Sequence, residues 1–207
     1  MTNAAVNGDW AVMPTGFRIL VVGLSNICRS PLAARMLQHE LDTEAPGEFT
    51  VRSAGTHVTP GRPAAVEVLR LASRRGIRLH GFVVSQLDEA MIAEADLILV
   101  MDRALRRQVV KVSPRALRTT FTLREFARIL PTVRPEELAT PTGRWQSLVA
   151  LAPRYRTPPP GDADDDDVID PHNRPARAYE RMNTQIVSAI DVIREWEVQG
   201  CAPDRSL

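Results

Sequence analysis

Apolar and polar residues alternate in blocks along the chain, and these blocks predict strands that alternate with helices. Residues 17–22 form a short, mainly apolar and partly β-branched run, which is typical of a buried parallel strand. After a turn-like stretch, apolar residues recur at helical spacing at Leu32, Met36, Leu37 and Leu41. Ser30 is predicted to cap this helix, with Pro31 at its first helical position, where a missing backbone donor is not needed.

The same alternation continues downstream. Further strands are predicted at 49–52, 95–101 and 119–122, and further helices at 63–75, 88–94, 104–112 and 175–198. The last helix has one apolar stripe, predicted to pack in the core: Tyr179, Met182, Ile186, Ile190, Ile193 and Trp196. This order predicts a single three-layer α/β domain, in which helices flank a central parallel four-stranded sheet of the Rossmann-like kind.

The chain divides into an arm, a domain and a tail. We expect a mobile N-terminal arm at 1–16, a domain at 17–200 and a C-terminal tail at 201–207. Within the domain, residues 131–167 are rich in proline and aspartate, which predicts an insertion that is a long loop or partly disordered. Its run of aspartates at 164–167 is interpreted as a solvated linker, since consecutive side chains on an extended chain point to alternating sides and suit a metal poorly.

Composition and charge narrow the class of protein. The chain has 207 residues, is 44% hydrophobic and carries a formal net charge of +1, so no global field favours nucleic acid or membrane as a partner. Its apolar runs are too short to span a bilayer, and we expect no secretory signal. Cys28 and Cys201 make no disulfide framework, which favours a cytoplasmic protein. We expect no cofactor and no metal ion, and the sequence does not indicate an oligomeric state.

The loop between the first strand and the first helix is the strongest candidate for chemistry. A loop that enters a helix N-terminus gathers backbone donors at the positive end of the helix dipole. Arg29 adds a planar fork that matches phosphate oxygens, and Asn26 is a residue type that tolerates left-handed backbone angles. These features predict that a phosphate or similar oxyanion binds at residues 24–30.

Three other interpretations of this loop remain open. Gly23 and the residues at 28–30 have the outline of a nucleotide-binding loop, but its second glycine and its lysine are missing. The start of the loop is similar to a nucleophile elbow centred on Ser25, yet Ile27 stands where the closing glycine would be. Finally, the loop could be an ordinary turn in which Cys28 is a small buried hydrophobe.

Several ordered motifs resemble the low-molecular-weight protein tyrosine phosphatases, whose loop is commonly V-C-x-G-N-I-C-R-S-P. The match is unbroken over Asn26–Pro31. Residues 53–56 resemble the family's S-A-G-T, residues 95–102 its A-D-L-I-x-x-M-D, and Asp170 with Pro171 its late D-P. Together these similarities span roughly 17–130 and 168–198, with the insertion outside.

The resemblance implies roles for individual residues. It implies that Arg29 clamps the phosphate, Ser30 is the partner of the nucleophile, Asn26 shapes the loop and Asp170 is the general acid. Gly23 stands where the family has its nucleophilic cysteine, so phosphocysteine chemistry cannot start there. The implied phosphate-binding residues are Leu24, Ser25, Asn26, Ile27, Cys28 and Arg29. His172 and Asn173 stand where the family often has tyrosines that form the wall of the substrate pocket.

The sequence therefore supports more than one function. The first hypothesis is a phosphatase-like protein that binds a phosphate group but does not hydrolyse phosphotyrosine, either as an inactive variant or as a natural pseudophosphatase. The second is a non-catalytic or regulatory module that binds phosphorylated proteins through the same pocket. The third is an arsenate reductase-like protein, known on the same fold, which would also need the loop cysteine.

A basic face is also apparent on the helix predicted at 104–112. Its cations recur at helical spacing at Arg103, Arg106, Arg107 and Lys111. Such a face is usually solvated, but it could dock an acidic partner or the aspartate run of the insertion.

Overall fold

A parallel sheet forms the centre of the protein. The computed structural model describes residues 16–79, 81–133 and 140–201. Its four strands are Phe17–Gly23 (β1), Phe49–Gly55 (β2), Leu97–Val100 (β3) and Thr120–Thr122 (β4). All neighbouring strands are parallel, in the order β2-β1-β3-β4. The predicted three-layer α/β fold is confirmed.

Helices connect the strands and cover the sheet. They are Arg29–Glu44 (α1), Val66–Ser73 (α2), Glu89–Glu94 (α3), Arg103–Val112 (α4), Leu123–Ile129 (α5), Pro141–Leu151 (α6) and Ala176–Cys201 (α7). Short 3₁₀ helices occupy Pro114–Arg118, Leu130–Thr132, Ala152–Tyr155 and Ala163–Asp166.

The core forms where the apolar strands meet the helices. β1 is the most apolar strand, and apart from Arg18 all its residues are buried, as a central parallel strand requires. α7 packs against α1 and α5. Its predicted stripe lies in the core from Met182 to Trp196, whereas Tyr179, at the start of the stripe, is only half-buried.

The start of α1 differs from the prediction. The helix begins at Arg29, so Ser30 is its second residue and not its cap, and Pro31 is its third residue. The hydroxyl of Ser30 is bound instead to the side chain of Asn26. Pro31 is tolerated there because the first four backbone donors of a helix have no partner within the helix.

The proline-rich insertion contains a helix and is not a loop throughout, although residues 156–162 are irregular as predicted. α6 lies inside it, capped by the Thr140 hydroxyl, which accepts from the backbone of Gly143. The fully buried indole of Trp145 contacts the aromatic rings of the core and donates to Glu197 at 2.7 Å. Burying a ring of this size stabilises the fold by a few kcal/mol. The prediction of a loop was therefore wrong for residues 141–155, which form α6 and a short 3₁₀ helix.

Only the first half of the aspartate run is solvated: Asp164 and Asp165 are exposed, whereas the next two residues pack against the protein. Asp166 is buried and pairs with Arg128 at 2.8 Å, and its carbonyl accepts from the Thr122 hydroxyl. Asp167 pairs with Arg103 of α4, which confirms that the basic face can dock the insertion. These contacts fix the segment that leads to residue 170.

The predicted arm at 1–16, apart from Gly16, and the tail beyond Cys201 lie outside the described residues. Within the described ranges, no helix combines the length and the apolar character needed to cross a membrane.

Candidate functional site

The loop that joins β1 to α1 lies at the carboxyl edge of the sheet, where parallel strands bring their ends together. Gly23 ends β1 in register with Gly55 of β2, and its carbonyl accepts from the backbone of Thr56 at 3.1 Å. On the other side, the backbone of Met101 donates to Val22 at 3.0 Å, which places the end of β3 beside the same loop. Crevices at this edge are the usual ligand sites of open α/β sheets.

Asn26 holds the loop in its curved shape. Its φ of 55° is left-handed, as its residue type permits. Its side-chain nitrogen donates to Ser30 at 3.0 Å and to Ser53 at 2.9 Å, while its oxygen accepts from the backbone of Ser85 at 2.9 Å. The buried amide therefore satisfies all its main hydrogen-bonding positions and ties α1, β2 and the loop together.

Gly55 lets the loop approach β2 closely. A Cβ at this position would lie 2.7 Å from the carbonyl oxygen of Leu24 and 2.9 Å from the backbone nitrogen of Asn26. Both atoms belong to the main chain and cannot move aside cheaply, so the loop requires glycine here.

The space in front of Gly23 is filled by a hydroxyl. A Cβ built on Gly23 would lie 2.5 Å from Oγ of Ser30. Asn26 holds that hydroxyl in place. A cysteine at position 23 would therefore require the Ser30 side chain to rotate.

Cys28, the other sulfur position of the loop, is a buried thiol. Its side chain is only 5% exposed, which confirms the interpretation of Cys28 as a small buried hydrophobe. Burial raises the pKa of the thiol from 9.0 to about 11, against the smaller opposing effect of a hydrogen bond with Tyr179. The thiol is therefore protonated near neutral pH and is a poor nucleophile.

Arg29 is held by carboxylates. Its guanidinium is 6% exposed and pairs with Asp102 at 2.9 Å and with Asp170 at 2.7 Å. It also donates to the carbonyl of Val168 at 3.1 Å. The structure thus brings Arg29 and Asp170 together, although 141 positions separate them in the sequence.

The remaining cavity inside the loop is very small. It has a volume of about 10 Å³ and is enclosed by the loop, the start of α1 and Asp170. A single water needs about 10–15 Å³, so a phosphate group does not fit this closed arrangement. His172 and Asn173 are exposed on the turn after Asp170 and do not line this cavity.

Three residues at this site have contacts that the sequence did not predict. Asp102 both caps α4 and pairs with Arg29. Ser53 binds Asn26, and Tyr179 binds Cys28. Asp102 and Ser53 lie at or near the ends of strands adjacent to β1, which is the signal that could have found them. Nothing in the sequence distinguishes Tyr179 from the rest of its apolar stripe.

The similarity to known proteins agrees with this geometry. The family model described as low molecular weight phosphotyrosine protein phosphatase matches residues 18–141. The chain belongs to this family. Curated relatives include the probable low molecular weight protein-tyrosine-phosphatase EpsP of Ralstonia nicotianae, 36% identical over 52% of this chain and 71% of the relative. The protein-arginine-phosphatase of Geobacillus stearothermophilus is 34% identical over 53% of this chain and 71% of the relative.

Solved structures of phosphatases share the fold. Vibrio vulnificus Wzb in complex with benzylphosphonate superposes with a TM-score of 0.62 at 22% identity, covering 87% of this chain and 98% of that protein. The YwlE arginine phosphatase of Geobacillus stearothermophilus superposes with a TM-score of 0.61 at 26% identity, covering 86% of this chain and 91% of that protein. The fold of this phosphatase family therefore extends beyond residue 141 of this chain.

Proposed function

We propose that this chain is a non-hydrolytic member of the phosphatase family that binds a phosphate group carried by a protein side chain. The observation that carries the proposal is Gly23 at the end of β1, with the Ser30 hydroxyl in the space that a nucleophilic side chain would enter. Cys28 cannot replace that nucleophile, because its thiol is buried and its pKa is raised to about 11.

Phosphate binding is supported by the parts of the site that do not depend on a cysteine. The loop leads into the N-terminus of a helix of 16 residues, and Arg29 lies in its first turn. Entry of a phosphate requires the pair between Arg29 and Asp170 to open. The Asp170 side chain is 39% exposed, so it can turn towards solvent and release the guanidinium to the ligand.

The amino acid that carries the phosphate is left open between two classes. The printed names of the relatives include both tyrosine and arginine phosphatases. Both substrates present the same three terminal oxygens to a loop and an arginine, so phosphotyrosine and phosphoarginine peptides are both suitable probes. Arsenate reduction would need the cysteine that Gly23 replaces, and no observation favours it.

Titration of the full chain with each phosphopeptide, followed by calorimetry and by amide NMR shifts of residues 24–30, tests the proposal. We expect saturable binding by the wild type and no release of phosphate. Arg29→Ala should weaken binding by about tenfold or more, since a hydrogen bond to a charged group contributes about 1.5–3 kcal/mol. Arg78→Ala, at an exposed position away from the loop, is the matched control.

Because Arg29 is buried, its variant needs a check of the fold by circular dichroism, and Arg29→Lys supplies a second variant that keeps the charge. A folded wild type that binds neither peptide would exclude the proposal. Phosphate release by the wild type above the rate in buffer would exclude its non-hydrolytic part.

A further inference from the structure

A larger cavity adjoins the loop site on the far side of Asp170. It has a volume of about 520 Å³ and is framed by the start of α4, the segment 164–170 and the start of α7. Arg29 and Asp170 form part of its wall, so the pair that closes the loop site also faces this cavity. Its volume lies within the range of about 300–1,000 Å³ that is usual for ligand sites.

Three arginines from different elements converge on this cavity without a partner. They are Arg107 of α4, Arg174 of the turn before α7 and Arg181 of α7. Among residues 16–79, 81–133 and 140–201, none of the three guanidinium groups forms an ion pair or a side-chain hydrogen bond. Arg103 in the same wall differs, because Asp164 and Asp167 already neutralise it.

Unpaired like charges around one concave surface repel each other and favour an anionic ligand. Four aspartates also line the cavity, and each of them pairs with Arg29 or Arg103. Five arginines thus face four carboxylates, which leaves the wall with a net charge of +1. The three arginines outside these pairs could each donate hydrogen bonds to a carboxylate of a ligand.

The basic surface continues along α4 into an apolar groove. This second cavity, of about 590 Å³, shares Arg103 and Arg107 with the first. Its floor is formed by Val110, Pro114 and Leu117, and Leu117 is 47% exposed. The two cavities together present unpaired arginines at one end and an apolar surface at the other.

This combination determines the chemical class of the occupant. A bare ion would leave the apolar groove empty, and single-stranded nucleic acid would need stacking side chains, whereas no aromatic residue is among the described residues that line either cavity. A polypeptide with acidic residues beside an apolar residue matches both parts.

We propose that this double cavity, defined by Arg107, Arg174 and Arg181 together with the apolar floor at Val110, Pro114 and Leu117, binds an acidic segment of a partner protein. The carboxylates of the segment pair with the three arginines, and an apolar side chain covers the floor. The inference deepens the proposed function, because it names the sequence character of the protein whose phosphate group enters the loop.

An unphosphorylated, fluorescently labelled peptide with three glutamates and one leucine tests the acidic site by itself. We expect the full chain to bind it, as measured by fluorescence polarisation, and more weakly as salt rises. The double variant Arg107→Glu with Arg181→Glu should lose about tenfold in affinity. Arg75→Glu with Arg78→Glu makes the same charge change at exposed positions outside both cavities and should keep the affinity within about twofold.

Several results would overturn this inference. The first is no binding of the peptide by the folded wild type, and the second is an equal loss of affinity in the two double variants. The third is displacement of the labelled peptide by inorganic phosphate, or by vesicles containing phosphatidylserine, as effective as displacement by the unlabelled peptide. The readouts also separate the two proposals. If the acidic peptide binds but a phosphopeptide shifts no amide signal of residues 24–30, the proposed function is excluded and the acidic site remains. If a phosphopeptide shifts those signals but the acidic peptide does not bind, the acidic site is excluded and the proposed function remains.

Discussion

At the scale of single residues, the loop combines an absent side chain at Gly23 with a fully engaged side chain at Asn26. Gly23 removes the nucleophile, while Asn26, Ser53 and Ser30 keep the hydrogen-bond network that shapes the loop. The network is buried, so losing one member would leave others without partners. A side chain at position 23 would have to displace the Ser30 hydroxyl, so glycine there leaves this network undisturbed.

Restoring a thiol tests whether the rest of the phosphatase site still works. Gly23→Cys should gain hydrolysis of an aryl phosphate, at least about a hundredfold above the wild-type rate, because a thiolate at the helix start can attack phosphorus. Gly23→Ser is the matched control, since it makes the same close contact with Oγ of Ser30 but has no thiolate. A folded Gly23→Cys protein with no turnover would contradict this prediction.

The thiol of Cys28 should make the protein less stable in alkali. Its pKa is raised to about 11 in the folded state, so between about pH 9 and 11 the unfolded chain has lost a proton that the folded chain keeps. The stabilising contribution is complete below pH 9 and disappears as the pH rises through 11. Its loss amounts to about 2–3 kcal/mol.

Urea unfolding at pH 8 and at pH 10 measures this effect. The wild type should lose more free energy of unfolding between the two pH values than Cys28→Ala does. Equal losses in both proteins would show that the thiol is not the cause.

At the scale of elements, residues 164–167 form a strap that ties the insertion to the helices α4 and α5. Asp166 binds Arg128 of α5 and Asp167 binds Arg103 of α4, so two helices fix the segment that carries Asp170. Contacts of this kind position a site residue without touching the ligand.

Removing one contact of the strap should destabilise the protein measurably. Asp166→Asn breaks a largely buried ion pair with Arg128 and should lower the free energy of unfolding by about 1–3 kcal/mol. Asp165→Asn changes the exposed neighbour and should stay within about 0.5 kcal/mol of the wild type. Denaturant titration measures both, and equal effects would exclude a structural role for Asp166.

The sequence predicted elements well where local pattern decides them. The apolar runs of β1 and β3 are buried on both faces, and the period of α7 places its stripe in the core. α6 was missed because it begins with Pro141 and is flanked by further prolines, as a loop often is, while tertiary packing of Trp145 decides its structure. The cap of α1 was misplaced because the helix already begins at Arg29, and the Ser30 hydroxyl is bound to the Asn26 side chain.

Contacts between distant positions of the site could not be predicted in the same way. The family motifs indicated Arg29 and Asp170 as separate members of one site, but their direct ion pair depends on how the strap is folded. The ion pair between Arg29 and Asp170 closes the cavity inside the loop, so the small volume of that cavity could not be predicted from the sequence.

At the scale of the whole molecule, the insertion and the family fold share one core. Trp145 of α6 contacts Phe17 of β1 and Trp196 of α7, so the segment cannot unfold without exposing core surface. We therefore expect a single cooperative unfolding transition.

Hydrogen exchange monitored by mass spectrometry checks this expectation. Amides of α6 should be protected to the same order as those of β1, because both open only with the whole core. Residues 59–64, which form a mainly exposed connection without a helix or strand, serve as the fast-exchanging reference. Exchange of α6 as fast as that of this connection would contradict a shared core.

The pair between Arg29 and Asp170 has a further consequence for any measurement of affinity. If phosphate binds only molecules in which the pair is open, the observed dissociation constant equals the intrinsic constant divided by the open fraction. An open population of about 1% would weaken apparent binding about a hundredfold. A partner that also draws Asp170 away from Arg29 would recover that factor, so the protein would bind a phosphate presented together with this second feature more tightly than a phosphate presented alone.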